Sequence, residues 1–239
     1  TPATLSLDVV ADGKTFGQSA VGVGELVLNN ADGTLDALID YGFDGRPFVL
    51  RFGTADAAYP NGFTTMLVGT MERVEFSLSQ VVVRLRDRQA ALQKPLQTTK
   101  YAGSNSGAVG VEGTASDLKG QPKPLCFGHC LNIPATPVNT SALIYQVHDG
   151  AVEAIEAVYD KGIALTAGTL THTTLTALQA ATPTAGQYDA CLPLGLFKLG
   201  ASPVGRVTAD VKGDKAGGVY VASAGSIAER LLLTRAGLT

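Results

Sequence analysis

Tryptophan is absent from the 239 residues, cysteine and histidine occur three times each, and charged residues make up only 16%. Each scarcity excludes something. With no tryptophan and 6% aromatics, the chain is poorly equipped to recognise sugars by stacking, which needs exposed ring faces. Three cysteines build no disulfide framework. Three histidines leave few groups for acid–base chemistry near neutral pH. No apolar run approaches the ~20 residues needed to span a bilayer, so no membrane partner is expected. The opening TPATLSLDVVADGK lacks a basic stretch followed by an apolar one, so a secretory signal is not expected either. A formal net charge of −3 without a basic stripe argues against specific nucleic-acid binding.

What remains is apolar and turn-rich. Hydrophobic residues are 45% of the chain, and its 28 glycines and 11 prolines are spread along it. Many short strands joined by tight turns fit this better than disorder. The expected fold class is mainly β with a few short helices (β+α). The charged fraction lies under the roughly 25% usual for globular domains. Either a large core or a surface covered by neighbours produces that deficit.

Periodicity divides the chain into three regions. In residues 1–98 a half-buried strand is expected around Leu5, Leu7 and Val9, with a turn at Asp12-Gly13. Another strand is expected from Val21 to Leu28, a helical turn through Leu35, Leu38 and Ile39, and a strand in PFVLRFG. MLVGTMERVEFSLSQVVVRLRD reads as a hairpin turning at 77–80, with Val81, Val83 and Leu85 on one face. DRQAALQKPL reads as a short helix stopped by Pro95. These form an N-terminal β-domain with an edge helix. Residues 99–117, rich in Gly and Ser, are expected to be a flexible loop or linker. They lack the spacing of a phosphate-binding loop.

The third region, 118–239, reads as β-rich and closed by an amphipathic helix, SIAERLLLTRAGL, capped by Ser226 and bounded by Gly237. Pro122 and Pro124 stiffen the lead into a strand near Leu125. LIYQVHDGAVEAIEAVYDKGIAL alternates strands with turns, LTALQAA is a helical turn, and strands are expected near Asp189–Leu192 and Leu196–Leu199. VTADVKGD reads as a strand with Lys212-Gly213-Asp214 at its tip.

Candidate chemistry is thin. Arg84, Arg86 and Arg88, spaced by two, share one strand face, where Asp87 and Glu72 or Glu75 can pair with them. Cys126 and Cys130 flank Phe127-Gly128-His129. A metal reading adds His129 or His148, but the second ligand pair of a zinc site is missing. With Cys191 they read better as small core residues. His148-Asp149 sits in an HDG turn. Glu153, Glu156 and Asp160 would approach one another only on a helix, where paired acids can hydrolyse glycosides. His172 has no recognisable partner. No nucleophile elbow is present. The residues therefore assign no catalytic, cofactor-binding or metal role.

LKGQPKPLCFG, LIYQVHDG and VYDKG resemble segments of tail proteins from long-tailed bacteriophages, prophages and gene transfer agents. ELVLNNADGTLDALIDYGFDGRPFVLRFG, GTMERVEFSLSQVVVRLRDRQAALQKPLQ and the closing VTADVKGD…SIAERLLLTRAGL are similar too, so the resemblance spans about Glu25 to Leu238. It implies tail-tube-like β-barrel or sandwich domains in a structural protein of the tail tip or baseplate. The position implied is the hub ring joining tube to tip. The implied partners are copies of itself, with a homotrimer favoured over a hexamer, and neighbouring tail-tube and tail-tip proteins. Such a protein is made in the host bacterial cytoplasm and resides in the virion tail. The alternative is a carbohydrate-binding β-module for host-surface recognition, through Tyr101, Tyr145 or Tyr188. A small hydrolase ranks third.

Overall fold

A computed structural model describes residues 23–87, 92 and 95–237. The chain is mainly β, with three sheets and a few short helices. It separates into two units, residues 1–94 with 236–239, and residues 95–235. The strand expected around Leu5 to Val9, the Asp12-Gly13 turn and most of the helix expected in 87–96 lie outside the described residues.

The first unit is an antiparallel sheet in the order β1-β4-β3-β2. Its strands are β1 (Val23–Asn29), β2 (Pro47–Phe52), β3 (Thr64–Phe76) and β4 (Gln80–Asp87). Period-two alternation places Val81, Val83 and Leu85 of β4 inward, and all three are buried. The β3–β4 hairpin turns at 77–80, where Ser77 N–H donates to the Gln80 carbonyl at 2.9 Å. The helical turn expected near Leu35 is one turn of 3-10 helix, Asp36–Leu38. Buried Asn30 sets it: its amide donates to Asp36 at 2.7 Å, and its carbonyl accepts from Leu35 N–H at 2.8 Å.

The second unit contains two sheets. One runs β10-β11-β12-β7-β6 and the other β5-β13-β8-β9. The strands are β5 (His129–Pro134), β6 (Thr136–Asn139), β7 (Ile144–Gln146), β8 (Val152–Asp160) and β9 (Ile163–Ala164). They continue as β10 (Thr166–Thr171), β11 (Gln187–Cys191), β12 (Leu196–Leu199) and β13 (Val207–Asp214). The sheets share a core in which Tyr145 and Phe197 from one meet Val158, Ala209 and Val211 from the other. The five-stranded sheet is covered on its other side as well, by Tyr101, Leu118 and Leu178 over Ile144 and Leu196. All three residues of β7 are therefore buried.

Several expectations need correction. Residues 99–117 have no regular strand, but they are a packed part of the second unit rather than a flexible linker. Tyr101 is buried, and Asn139 donates to the carbonyls of Gly107 and Gly110 at 3.1 and 2.9 Å. No strand begins at Leu125; β5 starts at His129, after Gly128 at φ +71°. Lys212, Gly213 and Asp214 are not a tip. They lie inside β13, with Asp214 buried, because Gly213 and Asp214 bond to the Gly128 and Cys126 carbonyls. The last α-helix, α2 (Ala224–Leu231), follows the six-residue α1 (Leu175–Ala180) and continues into a π-helical turn at Leu232–Ala236; its cap is Ser223 rather than Ser226. Ser226 supplies the capped N–H, at 3.1 Å from Ser223 Oγ.

Asn139 is one pin of the 99–117 segment, beside the Val138 carbonyl that accepts from Asn105 and from Gly113 N–H, and its own side-chain carbonyl accepts from Ala142 N–H at 2.9 Å. Asn139→Ala leaves three backbone groups without their partner. It is expected to lower stability by about 1–3 kcal/mol in urea unfolding, with amide-exchange protection lost first around Gly107–Gly113. Unchanged protection there would refute the pinning role.

Candidate functional site

His148 is the most enclosed of the candidate groups. It follows β7 in the HDG turn and is 1% exposed. Its Nδ1 accepts the Cys126 backbone N–H at 2.9 Å, so the proton resides on Nε2, which lies 3.4 Å from Asp214 Oδ1. The other Asp214 oxygen accepts from Arg230 of α2 at 2.6 Å. Arg230 also donates to the Ala216 and Val219 carbonyls at 2.8 and 3.0 Å. Burial pushes the His148 pKa down, against the opposing pull of Asp214 and Asp149. Both ring nitrogens are engaged within the protein, so neither faces a substrate. Asp149, expected as a turn residue, accepts from the Gln97 amide at 3.2 Å.

His129 points away from the thiols, as strand geometry requires. Its Nε2 lies 2.8 Å from Glu156, which Lys212 also meets at 2.7 Å. The Lys212 hydrogen bond, then its charge and that of His129, hold the Glu156 carboxyl below its usual range. The acids do not converge, because Glu153–Asp160 is strand and not helix. Glu153 pairs with Lys215 at 2.8 Å, and Asp160 accepts from the N–H groups of Val204 and Gly205. The two-carboxylate geometry of a glycosidase is therefore not formed by these three residues.

The cysteines are free thiols. Burial, reinforced by Cys130, pushes Cys126 up to about 12, and burial also raises Cys191. Thiols held protonated in this way are poor nucleophiles and poor metal ligands. Among the described residues, no three His, Cys, Asp or Glu side chains are grouped to hold a metal ion.

Arg84 lies between Glu75 at 3.1 Å and Glu25 at 3.4 Å, while Arg86 pairs with Asp44. Of the partners offered for the three arginines, Asp87 and Glu72 or Glu75, it is Glu75 that pairs with Arg84; Arg88 lies outside the described residues. The three tyrosines weighed for sugar stacking are core residues. Tyr101 donates to Gln146 at 2.5 Å, and Tyr145 stacks on Phe197 with centroids 5.5 Å apart and planes at 11°. Tyr188 meets Phe197 edge-on. None offers a face to a ligand, so the carbohydrate reading through these rings is corrected.

Sequence reasoning missed the apolar surface of the first unit. A groove of about 280 Å³ lies over its sheet, lined among others by Leu26, Phe43, Phe48, Met71 and Val74. Phe52, Tyr59 and Met66 are 73%, 72% and 65% exposed, and Leu78 at the hairpin turn is fully exposed. Eleven of the twenty large apolar side chains exposed among the described residues belong to this unit, although it holds only about a third of those residues. Among the described residues of this unit, three hydrophobic side chains, Val81, Val83 and Leu85, are buried. Alternation in PFVLRF and in QVVVRLRD marks both segments as strands, but which apolar side chains stay exposed depends on packing that no local pattern encodes.

No family model matches the chain, and no curated protein matches it in sequence. One solved structure is similar in part, a chain from the "Virion of native gene transfer agent (GTA) particle". Identity is 18%, the match covers 82% of this chain and 63% of the other, and the TM-score is 0.29. The chain thus spans less than two thirds of that protein's length, and no residue role is carried over at this level of likeness. Among the described residues no helix is long and apolar enough to cross a membrane.

The buried network gives a pH dependence with a definite sign. The unfolded chain takes up a proton on His148 near its ordinary value of 6.5, whereas the folded chain resists it. Folding stability is therefore expected to fall as pH drops through about 6.5 and below. His148→Gln should flatten that part of the stability–pH curve measured by urea unfolding. Arg230→Met, which strands a buried carboxylate, should cost about 3–5 kcal/mol. A His148→Gln curve parallel to the wild type would refute the assignment.

Proposed function

We propose that the chain is a structural component of a phage-type tail tip or baseplate, contributing to the hub ring that joins tail tube to tip. The observation that carries this reading is the apolar surface of the first unit. An open four-stranded sheet with a groove of about 280 Å³ and several large exposed side chains at and around its strands is costly to leave in water. Assembly with copies of itself, a homotrimer by preference, and with tail-tube and tail-tip proteins removes that surface from solvent. The resemblance of LKGQPKPLCFG, LIYQVHDG and VYDKG to phage tail proteins names the kind of assembly. The engagement of His129 and His148 and the dispersal of Glu153, Glu156 and Asp160 favour a structural role over a hydrolytic one.

Light scattering of the purified chain, alone and mixed with tail-tube and tail-tip proteins, tests the reading. A trimer, or a ring formed only on mixing, is the expected result. The double variant Phe52→Glu, Leu78→Glu should weaken that association by about tenfold or more, with the urea midpoint little changed because both side chains already face solvent. A chain that stays monomeric in every mixture would overturn the proposal.

A further inference from the structure

Two surface patches of opposite character stand on the two units, and their chemistry matches. In the first unit, residues 26–45 hold four aspartates, Asp32, Asp36, Asp40 and Asp44, and no lysine, arginine or histidine. All four are exposed. Asp44 pairs with Arg86, whereas Asp32, Asp36 and Asp40 stand in no ion pair among the described residues. Ile39 and Tyr41, 63% and 56% exposed, lie among these acids, and Leu38 and Phe43 of the same segment line the apolar groove. The segment is an acidic rim beside an apolar hollow.

The opposite patch is the tip where the β8–β9 hairpin meets the loop before β13. Lys161 and Gly162 form the hairpin turn, between Asp160 and Ile163, which pair across it. Lys161 N–H donates to the Arg206 carbonyl at 3.0 Å. Both Asp160 oxygens are taken by backbone, accepting from the Val204 and Gly205 N–H groups at 2.7 and 2.8 Å. Gly205 backs onto the Lys161 stem, where a Cβ would come within 2.9 Å of it. These contacts gather Lys161, Ile163, Val204 and Arg206, all exposed, with Ile163 at 72% and Val204 at 83%. With Asp160 so engaged, Lys161 and Arg206 stand in no ion pair among the described residues. Lys161 has φ +50°, in the left-handed region that glycine and asparagine occupy at least cost. A cation is held out where a neutral turn residue would ordinarily stand.

Each patch lacks what the other has. The tip carries two branched apolar side chains between two cations, and the rim carries carboxylates around an apolar hollow. Within one copy these residues are all exposed, so the match is left for a second copy. Pairing either patch with its own equivalent would set like charges together, which disfavours a two-fold contact through it. Opposite charges at a rim steer the encounter and fix its register, while apolar groups removed from water hold it. A contact between two different patches carries copies head to tail, the type that closes rings.

We propose that copies of this chain associate head to tail, the tip at residues 161–163 and 204–206 of one copy docking on the acidic rim and apolar groove of the next. Ile163 and Val204 enter the hollow, and Lys161 and Arg206 face Asp32, Asp36 and Asp40. This contact rests on the reading that copies assemble, and it names the two surfaces that meet.

The test is sedimentation velocity of the full chain over a range of concentrations, at low and at high ionic strength. The wild type is expected to associate, and to do so about tenfold more weakly at high salt. Two variants each reverse one patch. One is Lys161→Glu with Arg206→Glu. The other is Asp32→Lys with Asp40→Lys, which leaves Asp36 to accept from Asn30 as before. Each should weaken association by about tenfold or more. An equimolar mixture of the two should regain it, because each then offers the patch the other lacks, a recovery that misfolded variants would not show. A wild type that stays monomeric at every concentration, variants that associate as the wild type does, or a mixture no more associated than its components would each overturn the proposal. A ring still formed on adding tail-tube and tail-tip proteins would in those cases keep the assembly reading, so the two failures are told apart.

Discussion

The Asp214 carboxylate is the point on which the second unit converges. It is 5% exposed, and a carboxylate so placed needs partners on both oxygens to avoid a large desolvation cost. Arg230 and His148 are those partners. Each brings its own segment: Arg230 holds α2 and the 216–219 turn, and His148 holds the HDG turn and, through Nδ1, the backbone of Cys126. Asp214 N–H returns to the Cys126 carbonyl at 2.8 Å, which closes the loop. Gly213 is required beside it, since a Cβ there would collide with that same carbonyl. Replacing a whole buried ion pair by apolar groups is often neutral for stability. What this network adds is therefore specificity: four segments distant in sequence meet in one arrangement.

The contrast between the two units follows from how their sheets are covered. In the second unit, the five-stranded sheet has apolar layers on both faces, and Ile144, Phe197, Leu178 and Leu196 are at most 1% exposed. Burial on that scale supplies the free energy that orders an irregular segment such as 99–117. Among the described residues of the first unit the buried core is Val81, Val83 and Leu85, with half-buried side chains such as Leu26, Phe48 and Met71 packed against it. A four-stranded sheet with so few enclosed side chains has a thin margin by itself.

Much of the fold is legible in the sequence where the signal is local. The alternation in QVVVRLRD, the hairpin at 77–80, the strand Leu196–Leu199 and the turn of helix in LTALQAA all rest on neighbours in the chain, and all appear. The failures share one cause. Residues 99–117 read as a linker because Gly and Ser dominate locally, yet Asn139, about thirty residues away, pins them. Asp214 read as a turn residue because Lys-Gly-Asp is turn-like, yet Arg230 and His148 make its burial tolerable. Tyr101, Tyr145 and Tyr188 read as available rings because aromatic residues carry no sign of which side they face. The approach of His172 to Asp189 was illegible for the same reason: they stand 17 residues apart and meet only because β11 returns to pair in parallel with β10.

The low charged fraction had two explanations, a large core or a covered surface, and the two units divide them. Twenty-two of the twenty-five buried apolar residues among the described ones lie in the second unit, so there the deficit of charge is core. In the first unit the apolar residues are present but stand outside, at Phe52, Met66, Val68 and Leu78. Some of its charges pair along the strands, Arg84 with Glu75 and Glu25, and Arg73 with Glu75. Paired surface charges contribute little to stability, so these pairs add little to what the sheet encloses. A sheet that encloses little among the described residues and is apolar on its surface is suited to being finished by a neighbour. The same composition that looks merely hydrophobic over the whole chain thus serves folding in one unit and, on the proposed reading, assembly in the other.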